Sequence, residues 1–297
     1  MRFYCRSLVY CYFREYVESI MRKQDQIILF KDGENLIIED DNITNVFLSY
    51  VPPSENIELI YKNDKIINLF YLNTEQVTRP NIKDFINNNL SFLIKLKDKY
   101  QNVNIDIIDY SIQNITLLKN MVFLNSYNIY HIPYQYNEKE NKKLVNFLKN
   151  KKIYDVAHCG TSSSYRMNIL QKINNKKLGV NICTGYFDDR DIDIAKSKIL
   201  INIHFEKTYN VFESIRCDRW IFANHLVLSE DSINDNLNDL KDCIVICKYE
   251  DLPNFTEKII NKYDIYKKLY INNKVNIRNK VIQARKELYD NFRNNFN

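Results

Sequence analysis

The stretch ILINIHFEKTYNVFESIRCDRWIFANHLVLSE, residues 199–230, contains a complete strand–helix–strand unit. Ile199 to Ile203 and Leu226 to Leu228 are short apolar runs, as expected of strands buried within a parallel sheet. The segment 211–224 between them reads as a helix, so the unit is a β–α–β crossover. Between the strands lie His204, Glu206, Glu213 and Arg216, which a purely structural connection does not need. Open parallel sheets bind ligands beyond the carboxyl ends of their strands, where these residues fall.

Outward from this unit the same alternation continues in both directions. QIILF (26–30), IELIY (57–61), IINLFYL (66–72), VNIDIID (103–109) and NIYHI (128–132) read as strands of a first series. Residues 81–100 carry apolar side chains at Ile82, Phe85, Ile86, Leu90, Leu93 and Ile94, a helical period. A second series follows, with strands KIYDVAHC (152–159), LGVNIC (178–183) and CIVIC (243–247) and a helix from Ser162. The spacing predicts two α/β domains, 21–150 and 151–297, with helices closing the chain. Residues 1–20 stand apart as a leader of doubtful role, either an extension or a packing helix.

Composition narrows the class. Of 297 residues, 45% are apolar and 27% charged, as in soluble globular proteins, and only 4 Gly and 5 Pro argue against an all-β fold. The net charge of +5 comes from 42 basic and 37 acidic residues with no basic block, so no nucleic-acid footprint is legible. No apolar run is long enough for a transmembrane segment. Seven Cys without a Cys-x-x-Cys, and four scattered His, point away from a metal site and towards a reducing, cytoplasmic setting.

The strand ends carry the chemistry. Gly160 after the strand KIYDVAHC lets backbone N–H groups approach a phosphate at a helix start, and Arg166 adds a charge to the same anion. Glu213 has the chemistry to accept ribose hydroxyls, with Arg216 on the same helical face to fix it. His204 suits a phosphate, a sugar hydroxyl or a structural role equally. Asp188 and Asp189, beside Arg190, read as solvated loop acids. Neither GxGxxG nor a P-loop is present, which disfavours a dehydrogenase or an ATPase.

These residues resemble the GT-B glycosyltransferases, whose two Rossmann-like domains face a cleft. Gly160 and Arg166 match that family's glycine and basic residue for the diphosphate, Glu213 its ribose-holding glutamate, and Ser229 and Glu230 the polar turn after its next strand. FKDGEN, YLNTEQVT, IDYSIQNI and HIPYQYN are similar to a compact group encoded by large DNA viruses. The family's first paired glutamate stands eight positions before the second. Here that position is Phe205, and Glu206 is seven before. The resemblance implies transfer of a sugar from a nucleotide-diphosphate sugar to an acceptor hydroxyl of a glycan or glycoprotein. It implies no cofactor or metal, and the lack of a basic block argues for no nucleic-acid partner. Glu206 then contacts the sugar, and Glu75 and Asp109 are candidates for the base of an inverting reaction. Retention needs no such base, and the sequence leaves the two open. The alternative is a degenerate GT-B scaffold that binds nucleotide, or serves as a structural or interaction protein, without turnover.

Overall fold

In the computed structural model, residues 1–41, 43–61, 65–100 and 102–296 are described. The apolar runs become short parallel strands, and the amphipathic segments become the helices that cover them. In chain order the first part comprises β1 (Arg2–Arg6), α1 (Ser7–Ile20), β2 (Gln26–Phe30), β3 (Leu36–Glu39), β4 (Asn45–Leu48) and β5 (Ile57–Ile60). It continues with β6 (Ile67–Asn73), α2 (Ile82–Lys99), β7 (Val103–Asp109), α3 (Ile112–Leu118) and β8 (Ile129–His131). Six strands form one all-parallel sheet, ordered β2-β1-β4-β6-β7-β8, and β3 pairs with β5 in a small parallel sheet of its own. The helix expected at 81–100 is α2, which buries Ile82, Ile86, Leu90, Leu93 and Leu96 against this sheet. Each such side chain contributes about 1.5–3 kcal/mol of burial.

The second part comprises α4 (Glu138–Phe147), β9 (Tyr154–Cys159), α5 (Ser164–Asn175), β10 (Val180–Cys183), α6 (Phe187–Ala195) and β11 (Ser197–Asn202). Then follow α7 (Ser214–Phe222), β12 (Leu226–Glu230), β13 (Val245–Cys247), α8 (Leu252–Asn261), α9 (Tyr263–Tyr270) and α10 (Val275–Asn295). Its sheet is also all-parallel, ordered β10-β9-β11-β12-β13. Both main sheets therefore reverse strand order between their first strand and the one that follows the edge strand, as doubly wound folds do. Among the described residues, no helix is long and apolar enough to cross a membrane. All seven cysteines are free thiols, six of them buried as small apolar side chains.

Two expectations about organisation need correction. The chain divides into compact units at Pro133 and Tyr134, not near 150, and residues from Arg285 belong to the first unit rather than the second. The segment 1–20 is no appendage, because β1 is hydrogen-bonded on both sides, to β2 and β4. The end of α10 belongs to the first unit for physical reasons. Arg293 forms a buried two-pronged ion pair with Asp25, and Phe292 and Phe296 lie edge-on to Phe70 and Tyr130.

An ion network likewise ties α4 to the second unit. Arg219 on α7 donates to both oxygens of Asp191 on α6, at 2.8 and 2.6 Å, and to Glu140 on α4 at 2.9 Å. Asp191 is 0% exposed, so removing the guanidinium leaves a buried carboxyl with only the longer contacts of Arg190, at 3.2 and 3.3 Å. Arg219→Met is expected to cost about 3–5 kcal/mol in urea denaturation, whereas an exposed, solvent-screened pair such as Lys142–Glu138 contributes little.

Candidate functional site

In the second unit the strand order reverses between β9 and β11, and the charged residues gather at that point. Gly160 ends β9 with φ +134°, a left-handed conformation that disfavours other residues. A Cβ there would stand 3.1 Å from Nη1 of Arg166 and 3.1 Å from Cζ and Nη1 of Arg216. The backbone thus favours glycine, and any side chain here would also press on both guanidiniums. Ser163, the N-cap of α5, accepts the Arg166 N–H at 3.1 Å and donates to the Phe205 carbonyl beyond β11. The start of this helix offers several serines that can cap it, and Ser163 is the one that does.

Arg166 is 2% exposed and spans the reversal point. Its Nε donates to Ile203 O at 2.9 Å, Nη1 to Thr161 O at 2.8 Å and Nη2 to Glu213 Oε1 at 3.1 Å, and the guanidinium lies 5.5 Å from the Phe205 ring centre. Arg216 pairs with the other oxygen of Glu213, and its Nη1 is buried without a partner. The predicted Glu213–Arg216 pairing is therefore present. Glu213 is not one turn inside a helix, however: α7 begins at Ser214 and Glu213 is its N-cap residue, because 203–213 form a loop anchored by buried Val211 and Phe212.

Two cations share one carboxylate here. Burial, then the neighbouring Arg216 charge, lowers the Arg166 pKa to about 10. Burial alone would raise that of Glu213, but Arg216 and Arg166 outweigh it and hold the carboxylate ionised. His158 on β9 is buried and neutral, its pKa pushed down to about 3 by burial and then by Arg216 and Arg166. Its Nδ1 lies 3.3 Å from Ile201 O, leaving Nε2 unpartnered. The cluster therefore carries an excess positive charge with little water to screen it.

His204 follows β11. Its N–H donates to Glu230 Oε2 at 2.9 Å and its Nε2 lies 3.0 Å from Asp231 O, so Nε2 carries the proton and Nδ1 is a buried acceptor without a partner. Glu230 also accepts from Tyr165 OH at 2.6 Å, and Tyr165 stacks on Tyr249 with ring centres 3.9 Å apart. Ser229 is fully buried, accepts from Asn202 Nδ2 at 3.0 Å and donates to Glu230 O. Ser229 and Glu230 thus brace the loop after β11. Arg216 Nη1, His158 Nε2, His204 Nδ1, Asn202 Oδ1 and Ser214 Oγ are all buried without partners along this edge. Each such orphan costs about 1–3 kcal/mol unless water or a ligand satisfies it. Glu206 stands aside from the cluster: its carboxylate accepts from Thr208 Oγ1 at 2.8 Å, and none of its hydrogen bonds among the described residues reaches Arg166 or Arg216.

In the first unit, Glu75 and Asp109 are brought together at the ends of β6 and β7. Asp109 is fully buried and accepts from Asn73 Nδ2 at 2.6 Å, the Ser111 N–H at 2.8 Å, and Asn114 Nδ2 at 3.1 and 3.2 Å. Burial nonetheless raises its pKa to about 7 against those donors. Glu75 is half-buried and paired with Arg79 at 2.6 Å, and its backbone oxygen accepts from both Asn73 and Asn114. Sequence reading missed Asn73 and Asn114 as the partners of Asp109. It also missed His158 and the Tyr165–Tyr249 stack, for which no local signal exists.

No family model matches the chain. It is 37% identical over 257 residues to the uncharacterized protein L140 of Acanthamoeba polyphaga mimivirus, covering 84% of this chain and 76% of L140. It is 36% identical over 263 residues to L138 of the same virus, covering 84% of this chain but only 28% of L138, so it corresponds to less than a third of that relative. A point mutant of T4 phage BGT bound to UDP-glucose superposes with a TM-score of 0.51 over 100% of both chains at 11% identity. A DNA-modifying β-glucosyltransferase solved with and without uridine diphosphoglucose gives 0.50 over 99% of both, at 12% identity. At such identities the likeness is one of fold, and the fold is that of the GT-B glycosyltransferases.

Proposed function

This chain belongs to the family of L140 of Acanthamoeba polyphaga mimivirus and carries the GT-B fold, and we propose that it is a glycosyltransferase using a nucleotide-diphosphate sugar. The observation that carries this reading is the Arg166–Glu213–Arg216 cluster at the reversal point of the second sheet, with its uncompensated positive charge. A diphosphate laid against Gly160 and the start of α5 would take that charge and the free Nη1 of Arg216. Glu213 keeps lone pairs for the ribose hydroxyls, and His204 Nδ1 offers a buried acceptor for a further hydroxyl. Glu206 is left to contact the sugar, and Ser229 and Glu230 hold the loop that carries His204.

The proposed reaction is an inverting displacement. The acceptor hydroxyl loses its proton to Asp109 as its oxygen bonds the sugar's anomeric carbon, and the bond from that carbon to the diphosphate oxygen breaks. The diphosphate leaves with the electron pair, and the two arginines stabilise the charge it gains, the task a bound metal performs elsewhere. Asp109 is preferred to Glu75 as the base because its pKa lies near neutrality, whereas Glu75 is engaged with Arg79. A neutral, hydroxyl-rich acceptor such as a glycan or glycoprotein fits the first unit better than a nucleic acid. Near its strand ends Arg6 is paired with Asp32 and Arg79 with Glu75, so these two guanidiniums are already engaged by carboxylates. Buried free thiols fit a reducing compartment such as host cytoplasm. A second reading, a scaffold that binds nucleotide without turnover, draws on Phe205, whose ring sits by Arg166 where the family places a glutamate.

A thermal-shift screen against UDP-, GDP- and CDP-sugars tests the donor site. One donor is expected to raise the melting temperature, and Glu213→Ala to weaken its binding by about 1–3 kcal/mol. Absence of any shift would contradict the reading.

A further inference from the structure

We propose that Asn114, together with Asn73, is a positioning pair that clamps the Asp109 carboxylate and the turn at Glu75 into one rigid proton-accepting unit. The inference rests on the reading of Asp109 as general base. Asn114 lies in the first turn of α3 and is fully buried. Its Nδ2 is 3.1 and 3.2 Å from the two oxygens of Asp109 and 2.9 Å from Glu75 O, and its Oδ1 accepts the Val77 N–H at 3.0 Å. Asn73 repeats the pattern from β6, with Nδ2 at 2.6 Å from Asp109 Oδ2 and 2.9 Å from Glu75 O, while its Oδ1 accepts the Glu75 N–H at 3.2 Å. Two carboxamides thus bridge the same pair of acceptors, and each returns its own oxygen to a peptide N–H of the 75–77 turn.

The choice of partner distinguishes this carboxylate from structural ones in the same protein. Asp25 and Asp191 are buried against arginines, and for Asp25 the Arg293 pair outweighs burial and holds the carboxyl below its usual range. Asp109 is held by neutral donors only, which orient it without locking its charge, so it remains able to take a proton. The titratable and charged groups around it are Tyr16 on α1, Tyr71 on β6, Glu75 with Arg79, and His131, its register partner on β8.

The test is a pH titration of the full chain labelled with [4-13C]aspartate, the Asp109 resonance being assigned by its loss in Asp109→Asn. The parent midpoint is expected near pH 7. Asn114→Asp, which sets a second carboxyl against the first, should move it up by more than about one unit, and Asn114→Ser by about half a unit. The pH midpoint of kcat, read with the donor found in the screen, should follow, with donor affinity unchanged. If the Asn114 variants do not fold, Asn73→Ser supplies the same measurement and must shift in the same direction. Unmoved midpoints overturn the proposal, as does unfolding of all three variants, which would make the amides supports of the fold. Turnover retained in Asp109→Asn would overturn the general-base reading and leave the positioning result standing, so the two failures are separable.

Discussion

Arg166→Ala is expected to lower affinity for the nucleoside diphosphate by roughly 100-fold or more, about 3 kcal/mol, while leaving nucleoside binding unchanged. The side chain contributes charge to the anion and also holds the site's geometry. It spans the reversal point by bonding Thr161 O before α5, Ile203 O beyond β11, and Glu213. Without it, Glu213 is left to Arg216 alone, and the excess positive charge that draws the diphosphate is gone. Arg166→Lys should recover little, because an ammonium cannot reach three acceptors in one plane. Isothermal titration with diphosphate and nucleoside in parallel separates a lost anion contact, which affects only the first, from general disorder, which affects both.

Asp109→Asn is expected to reduce kcat by about 10²–10⁴-fold with little change in donor KM. In the parent, the rate should rise with pH through about 7, because only the carboxylate accepts the proton. Stability should run the other way. The folded pKa lies above the unfolded carboxylate value, so the native state binds the proton more tightly, and stability falls as pH rises from about 4 to about 7. The loss is on the order of 4 kcal/mol for this one group. Asp109→Asn should flatten that dependence while abolishing turnover, a combination that a merely structural aspartate would not give. Denaturation midpoints at pH 5 and 8, measured alongside rates, check both halves.

Much of the second unit was legible because its strands are built around short apolar runs such as Ile199–Ile201 and Leu226–Leu228 bounded by polar ends, and local pattern suffices for that. Gly160, Arg166, Glu213 and Arg216 were identified from the same logic, and the structure gathers all four. The first unit was read less completely. RFYCR passes straight into α1 with no turn residue to separate strand from helix, so β1 was hidden within an apparent leader. LIIE and NVFL are only four residues each, too short for a period to register. The unit boundary depends on partners far apart in sequence. Glu140 joins the second unit through Arg219, Tyr134 stacks on Phe222, and Arg293 returns to Asp25, none of which spacing reveals. Glu206 was named because it stands one position from where the family has its first glutamate, and the hydrogen bond its carboxylate accepts from Thr208 was not legible in the sequence.

The central claim is that this chain turns over a nucleotide-diphosphate sugar through the Arg166–Glu213–Arg216 cluster and Asp109. The most direct measurement is release of nucleoside diphosphate from a panel of UDP-, GDP- and CDP-sugars, with a mixed glycan acceptor, by the parent, Arg166→Ala and Asp109→Asn. Release from one donor class by the parent, lost in both variants, is the expected result. No release from any donor, or release undiminished in both variants, would contradict it.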